Sequence, residues 1–365
     1  MNCGAVQLLF DNLNFKNNYF NYKFPVPQYL GSKYRHLEWI GSCIPGNVNR
    51  VMDVFAGSQA VAFYFKQKGY EVFTNDFMSY SYRIGKGLVE NGKTRLDGND
   101  IKILFSRNRS EKDFHLMRDL FTDIFFIEKE CEFLDGFRSN IDLLENDYKK
   151  SLAFSVINRA MTRKVTMGHF AHTKALEYAA NKDRVKRNRS LIVPLKDLFM
   201  ELLDEYNNAV FDNKKDNKSF NMDAVEFINE HSEGMDMAYF DPPYCNSHAD
   251  YQAFYHLLET YTEYWKDKKF INGTNCYYPK KKSGFVLKRE ILNSFDRLFE
   301  ASQRIPYWMI SYNDRSYPDL NTMINIISKY KNVKVFKKNY ENKVGGKGSV
   351  AGSNELLFVC SPRQS

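Results

Sequence analysis

An apolar run, Met237-Ala238-Tyr239-Phe240, ends abruptly in Asp241-Pro242-Pro243-Tyr244. The run has the length of a short buried strand. A proline cannot donate to a sheet ladder, so the strand has to stop at Asp241. A carboxylate, a rigid turn and an aromatic ring stand at its end. Asp241 accepts hydrogen bonds, and the Pro242 carbonyl offers a second acceptor with no N–H beside it. Pro243 stiffens the turn, and Tyr244 presents a flat face for a planar ring. Two acceptors and a stacking platform suit an exocyclic amine on a base. The same four residues would also serve as a plain turn with a capping Asp and a surface Tyr, so the rest of the chain has to decide.

Upstream, Arg50-Val51-Met52-Asp53-Val54 reads as a strand running into the small-residue turn Phe55-Ala56-Gly57-Ser58. An amphipathic helix over 60–67 follows, closed by Gly69, and a second strand over 70–74 ends at Asn75-Asp76. This is a β-α-β unit, whose crossover should be right-handed. Small residues at the turn let a ligand approach the backbone at the helix N-terminus. Asp76 lies roughly 20 positions beyond Gly57, the spacing at which a carboxylate meets a ribose diol. With no Gly-x-Gly-x-x-Gly and no phosphate-loop lysine, a pyrophosphate or triphosphate ligand is disfavoured, and an adenosine without phosphates fits better. A purely structural β-α-β unit with a capping Asp is the alternative. Earlier still, Gly31 permits a tight turn in Pro25-Val26-Pro27-Gln28-Tyr29-Leu30-Gly31-Ser32-Lys33, and a helix should begin near Ser32. Lys33 at that start can reach a carboxylate or a substrate, or simply be solvated.

Residues 80–200 break the alternation and read as helices over 113–126, 141–158 and 195–207. Between the last two lies a basic stretch containing Arg159, Arg163, Lys164, Arg184, Lys186, Arg187 and Arg189. Such runs are often solvated faces. Here Thr162, His169, Asn181 and Asn188 are interleaved, and these can read base edges while the cations hold phosphates. The formal net charge of +8 is compatible with that partner.

The alternation then resumes. A strand over 218–221 is followed by Asp223 and a helix over 225–231, then by the Asp-Pro-Pro-Tyr strand. Helices over 251–266, 288–302 and 320–330 and strands over 306–311, 333–339 and 355–360 complete the chain. The expected fold is α/β: a doubly wound sheet with a C-terminal antiparallel hairpin and a mostly helical insertion. Residues 25–84 and 206–365 would form the catalytic domain, 85–205 the insertion, and 1–24 an N-terminal arm of no assigned role. Ligands of such sheets sit outside the carboxyl ends of the strands. The Asp53-to-Ser58 turn, Asp76, Asp223 and the Asp241-to-Tyr244 turn all fall at those ends, on one rim.

Composition closes off other classes. The cysteines, Cys3, Cys43, Cys131, Cys245, Cys276 and Cys360, are scattered without a Cys-x-x-Cys pair, which fits reduced thiols in a cytoplasmic protein. His169 and His172 lack further ligands at metal-binding spacing, so no metal is expected. No signal peptide or membrane-spanning run is evident.

In motif order the chain resembles the Dam-type (D12 class) adenine-N6 DNA methyltransferases. The lysine motif Tyr29-Leu30-Gly31-Ser32-Lys33, then Asp53-Val54-Phe55-Ala56-Gly57-Ser58, the insertion and Asp241-Pro242-Pro243-Tyr244 carry the likeness. Tyr255-His256-Leu257-Leu258-Glu259-Thr260 and Ser311-Tyr312-Asn313 resemble further segments of restriction-modification members. The resemblance implies a Rossmann-like fold and the methyl donor S-adenosylmethionine (AdoMet). It places Tyr29, Lys33, Asp53, Phe55, Ala56, Gly57, Ser58, Asp76 and Asp241 around the donor and Asp223 near its adenine. It implies duplex DNA as substrate, a flipped adenine as target, and Asp241, Pro242, Pro243 and Tyr244 as the catalytic segment. A monomer is expected, paired functionally with a restriction endonuclease without a stable complex. Cys245 is not expected to act as a nucleophile. One departure is Gln59, where the family usually has a second glycine; its side chain has to point away from the methionine moiety. Methylation of cytosine N4, RNA adenine or protein glutamine, or a DNA-binding relative without catalysis, are the competing readings.

Overall fold

The structure is a computed structural model. It describes residues 20–106, 113–165, 168–171, 173–243, 250–264, 269–270, 277–278, 283–339 and 354–363. Tyr244, Cys245, His172 and residues 1–19 lie outside the described residues.

Seven strands form the main sheet: β1 (Arg50–Asp53), β2 (Glu71–Asn75), β3 (Lys218–Phe220), β4 (Met237–Phe240), β5 (Tyr307–Asn313), β6 (Asn332–Asn339) and β7 (Asn354–Ser361). Their order is β3-β2-β1-β4-β5-β7-β6. The first five pair in parallel, and β7 runs antiparallel to both β5 and β6. The expected doubly wound sheet with a C-terminal hairpin is therefore present. All four residues of β4 are buried, as in a parallel strand covered on both faces.

Side-chain alternation divides the core. Val51, Met237 and Tyr239 face one cluster, while Met52, Ala238 and Phe240 face the other. On the first face lie α1 (Ala60–Gln67) and the helical insertion, whose longest members are α2 (Asp147–Arg163) and α3 (Leu195–Ala209). The second face is covered by α4 (Ala224–His231), α6 (Ile291–Ser302) and α7 (Leu320–Ile327), and α5 (Tyr251–Glu263) returns to the first. At its start, the Asp236 carboxylate accepts from the Asn49 and Arg50 amides at 2.7 and 2.9 Å, which staples the entry of β4 to β1. The chain leaves β1 towards β2 and β3 but leaves β4 towards β5. The crevice between β1 and β4 is thus the topological switch point, where open α/β sheets bind ligands.

Two expectations need correction. The helix placed over 113–126 is helical only at Leu116–Phe121, and a separate helix, Glu128–Ile141, was not foreseen. Cys131, Leu134, Phe137 and Ile141 bury its inner face despite Gly136, so tertiary packing overrides a weak local signal. The helix placed from 141 begins only at Asp147, after Asn146, whose side chain accepts from the Lys149 amide. In addition, the end of the expected arm is packed. Phe24 is buried, the Tyr22 ring stacks on Phe211 at 4.4 Å, and the Gln67 side chain donates to the Phe20 and Tyr22 carbonyls.

Candidate active site

A cavity of about 390 Å³ opens at the carboxyl ends of β1, β2 and β4. Its wall includes Tyr29, Lys33, Asp53, Phe55, Ala56, Gly57, Ser58, Asp76, Asp223, Asp241 and Pro243, so the separate sequence signals do meet on one rim. Pro242, between Asp241 and Pro243, is buried.

The turn after β1 is built for close approach. Gly57 has φ +48°, and a Cβ there would stand 3.1 Å from the Tyr29 ring. The position therefore accepts glycine and little else. The Gly57 and Met78 amides donate to the two oxygens of Asp76 at 2.7 and 2.8 Å, which fixes that carboxylate at the tip of β2. Gln59 also has a positive φ, 67°, yet is fully buried. Its side-chain carbonyl accepts from the Thr74 hydroxyl at 2.7 Å and its amide donates to the Ser81 carbonyl at 3.2 Å. The long side chain runs under the turn and stays off the cavity wall, as the departure from glycine requires.

Tyr29 forms a second wall. Its ring stacks on that of Tyr255 at 4.7 Å, the two planes nearly parallel, and lies 5.7 Å from that of Tyr251. The Tyr255 hydroxyl accepts from the Leu30 amide at 2.7 Å, which holds the lysine motif against α5. Ser32 and Ser58, both in the cavity lining, join their hydroxyls at 3.0 Å.

Charge in the cavity is mostly negative. Asp53 is buried, and its carboxylate oxygens have no well-formed hydrogen bond, only poorly aligned backbone approaches from Phe55 and Ala62. Burial, followed by the neighbouring Asp241 and Asp76, pushes its carboxyl well above the usual range. Lys33, also buried, sits 3.0 Å from Asp241 and 3.3 Å from Glu355, and donates to the Gly31 carbonyl at 3.1 Å. Burial works against its charge, but Asp241 and Glu355 outweigh it and hold the ammonium well above the ordinary lysine value. His36 beside it is pushed down to about 4, by burial first and then by Lys33. An acid-lined cavity repels phosphates and suits a cationic adenosine. The poorly satisfied Asp53 fits a ligand that brings a positive group, and the side-chain-free surface at Gly57 lets it approach the backbone closely.

Sequence reasoning missed Glu355 and Tyr251. Glu355 opens the apolar run of β7, and a charged residue on a buried strand was the available signal. Asp223, which the sequence places among the cofactor residues, lines the cavity and caps α4 by accepting from the Val225 amide at 2.9 Å.

The basic stretch divides in two. Lys164 is buried, bound to Glu130 at 2.8 Å and to the Val193 carbonyl at 3.0 Å, and Arg159 donates to Gln28 at 2.9 Å beneath the surface. Arg163 lies 3.5 Å from Glu201. Lys186, Arg187 and Arg189 are exposed on the helix Lys182–Arg187 and the turn after it, and the Arg184 guanidinium stacks 3.9 Å over Tyr178.

Residues 29–341 match the model of the D12 class N6 adenine-specific DNA methyltransferases. The chain belongs to that family. Among similar proteins, the Type II methyltransferase M2.HphI of Haemophilus parahaemolyticus is 32% identical over 94% of this chain and 99% of its own length. The Type II methyltransferase M.CviAII of Paramecium bursaria Chlorella virus 1 is 26% identical over 91% of this chain and 97% of its own. The Type II methyltransferase M.FokI of Planomicrobium okeanokoites is 28% identical, with the matched part covering 78% of this chain and 44% of that protein. As a D12 methyltransferase the chain methylates adenine N6 in DNA with AdoMet as donor. No helix among its described residues is long and apolar enough to cross a membrane.

Proposed function

We propose that Asp241 and the Pro242 carbonyl accept the two hydrogens of the target amine, with Lys33 holding Asp241 in place. The observation carrying this reading is the buried Lys33 ammonium at 3.0 Å from Asp241, both in the lining of the acid-lined cavity. An adenine amine is a poor nucleophile because its lone pair is delocalised into the ring. Two acceptors draw its nitrogen towards tetrahedral geometry and return that lone pair to it. The gain comes from orientation and from charges arranged in advance. The target lies inside a duplex, so it must flip out, and Tyr244 stacks on the flipped ring.

AdoMet supplies an electrophilic methyl on a cationic sulfur when bound. Asp53 receives its ammonium, Asp76 its ribose hydroxyls, and Asp223 lies by its adenine. Tyr29 and the Phe55-to-Ser58 turn close around the methionine end. No covalent enzyme intermediate is required. Residues 85–205 serve as the target-recognition insertion, and Arg184, Lys186, Arg187 and Arg189, joined by Arg163, hold the DNA backbone. Lys164 is better read as an internal brace. The enzyme acts as a monomer in a restriction-modification system, beside an endonuclease with which it forms no stable complex.

The test is transfer of tritium from labelled AdoMet to unmethylated mixed-sequence DNA, with products digested to nucleosides. Label in N6-methyldeoxyadenosine is expected in the wild type and none in Asp241→Ala. An active Asp241→Ala enzyme would overturn the assignment of Asp241.

A further inference from the structure

Glu355 is a buried acid, with 6% of its side chain exposed, at the head of the otherwise apolar run Leu356-Leu357-Phe358. It stands opposite Asn313 in the sheet, at the carboxyl end of β5. Burying such a group is costly, and hydrophobic replacements of buried ion pairs are often neutral or stabilising. Its presence is therefore poorly explained by stability alone.

Its partner explains it better. The Lys33 ammonium has three N–H bonds, and Asp241, Glu355 and the Gly31 carbonyl supply three acceptors. A lysine so placed is a hub rather than a proton donor to substrate. With Asp241 alone the ion pair would sum to zero, and the ammonium would compete with the target amine for the carboxylate. With Glu355 the buried cluster of one cation and two anions carries a net −1. As the N6 lone pair takes the methyl, the S–C bonding pair stays with the departing S-adenosylhomocysteine, and N6 is positively charged until one of its protons passes to Asp241 and on to water. A fixed negative cluster favours that charge where it develops.

We propose that Glu355 is a positioning residue for methyl transfer, sharing the Lys33 charge with Asp241 so that the ammonium does not neutralise the carboxylate that accepts from the target amine. This rests on the role proposed above for Asp241, but goes beyond it in assigning a function to an acid on a distant strand.

The experiment compares Glu355→Gln, Glu355→Asp, Lys33→Met and the double variant Lys33→Met/Glu355→Gln. Turnover, AdoMet affinity by calorimetry and base flipping by 2-aminopurine fluorescence are read for each. Glu355→Gln should lower kcat about tenfold or more while AdoMet affinity and flipping stay near wild type. Glu355→Asp, which keeps the charge, should recover part of that loss. Lys33→Met leaves two carboxylates facing each other without their cation, so removing one charge in the double variant should raise both kcat and Tm above those of Lys33→Met. A purely structural Glu355 also restores Tm in the double variant, because the two residues are in contact, but leaves its kcat no higher than that of Lys33→Met. That result, wild-type turnover in Glu355→Gln, or a turnover loss matched by an equal loss of AdoMet affinity would overturn the proposal. An active Asp241→Ala enzyme would instead overturn the reading on which it rests.

Discussion

The Thr74 hydroxyl donates to the side-chain carbonyl of Gln59 at 2.7 Å, and this bond seats a long residue in a left-handed backbone position where the family usually has glycine. Gln59→Gly relieves the backbone by about 1 kcal/mol but strands the buried Thr74 hydroxyl, which costs about 1–3 kcal/mol when left unsatisfied, whereas Ser81 keeps the Gly85 amide and the Gly57 carbonyl. The net expectation is a loss of stability of up to about 2 kcal/mol in denaturant unfolding, with AdoMet affinity changed little. A large loss of AdoMet affinity in this variant would mean that the side chain shapes the cavity directly.

Asp53 sets apo stability against ligand binding. Its carboxyl is raised in the folded state, so folding favours the protonated form. The sign follows: Asp53 does not oppose folding below the unfolded carboxylate value, and its cost grows as pH rises from there through the raised folded value. At neutral pH the apo protein bears that cost. Asp53→Asn should therefore raise apo Tm at pH 7 more than at pH 4, and reduce AdoMet affinity about tenfold or more. Thermal melts with and without AdoMet measure both. Equal Tm changes at the two pH values would remove the burial argument.

Much of this was legible in the chain. The four small or acidic segments at strand ends are local signals, since prolines, glycines and strand-final carboxylates announce themselves without tertiary context. Tyr29, Gly57, Asp76 and Asp241 accordingly reach one cavity. Glu355 was not legible as a site residue, because its meaning depends on Lys33, which reaches it only through the sheet. Nor was the helix Glu128–Ile141, whose apolar face is specified by what packs on it. Charge runs misled for the same reason. Lys164 looks like its neighbours in sequence, yet Glu130, on that unforeseen helix, takes its ammonium inside.

Tyr29 and Tyr255 test the wall of the donor site. Their near-parallel rings and the Tyr255 hydroxyl bond to Leu30 hold the lysine motif in place. Tyr255→Phe keeps the stack and frees the Leu30 amide, so its expected cost is about 1 kcal/mol of stability with modest loss of AdoMet affinity. Tyr255→Ala removes the stack as well and should reduce AdoMet affinity severalfold further. Equal AdoMet affinities in the two variants, by calorimetry, would mean that the stack plays no part in shaping the site.

The exposed and buried cations of the insertion should separate cleanly in DNA binding. Arg184, Arg187 and Arg189 can meet phosphates, whereas Lys164 is committed to Glu130 and the Val193 carbonyl. Removing one phosphate-binding cation lowers the slope of log K against log salt by roughly 0.9. Changing the three arginines to glutamine should therefore flatten the salt dependence by up to about 3 units and weaken binding to all sequences alike. Lys164→Met should leave that slope unchanged and lower Tm, because it strands Glu130 in a largely buried place. Anisotropy titrations of labelled duplexes over a range of salt, alongside thermal melts, measure both. An unaltered slope in the triple variant would take this face out of the interface and point to another basic surface for the DNA.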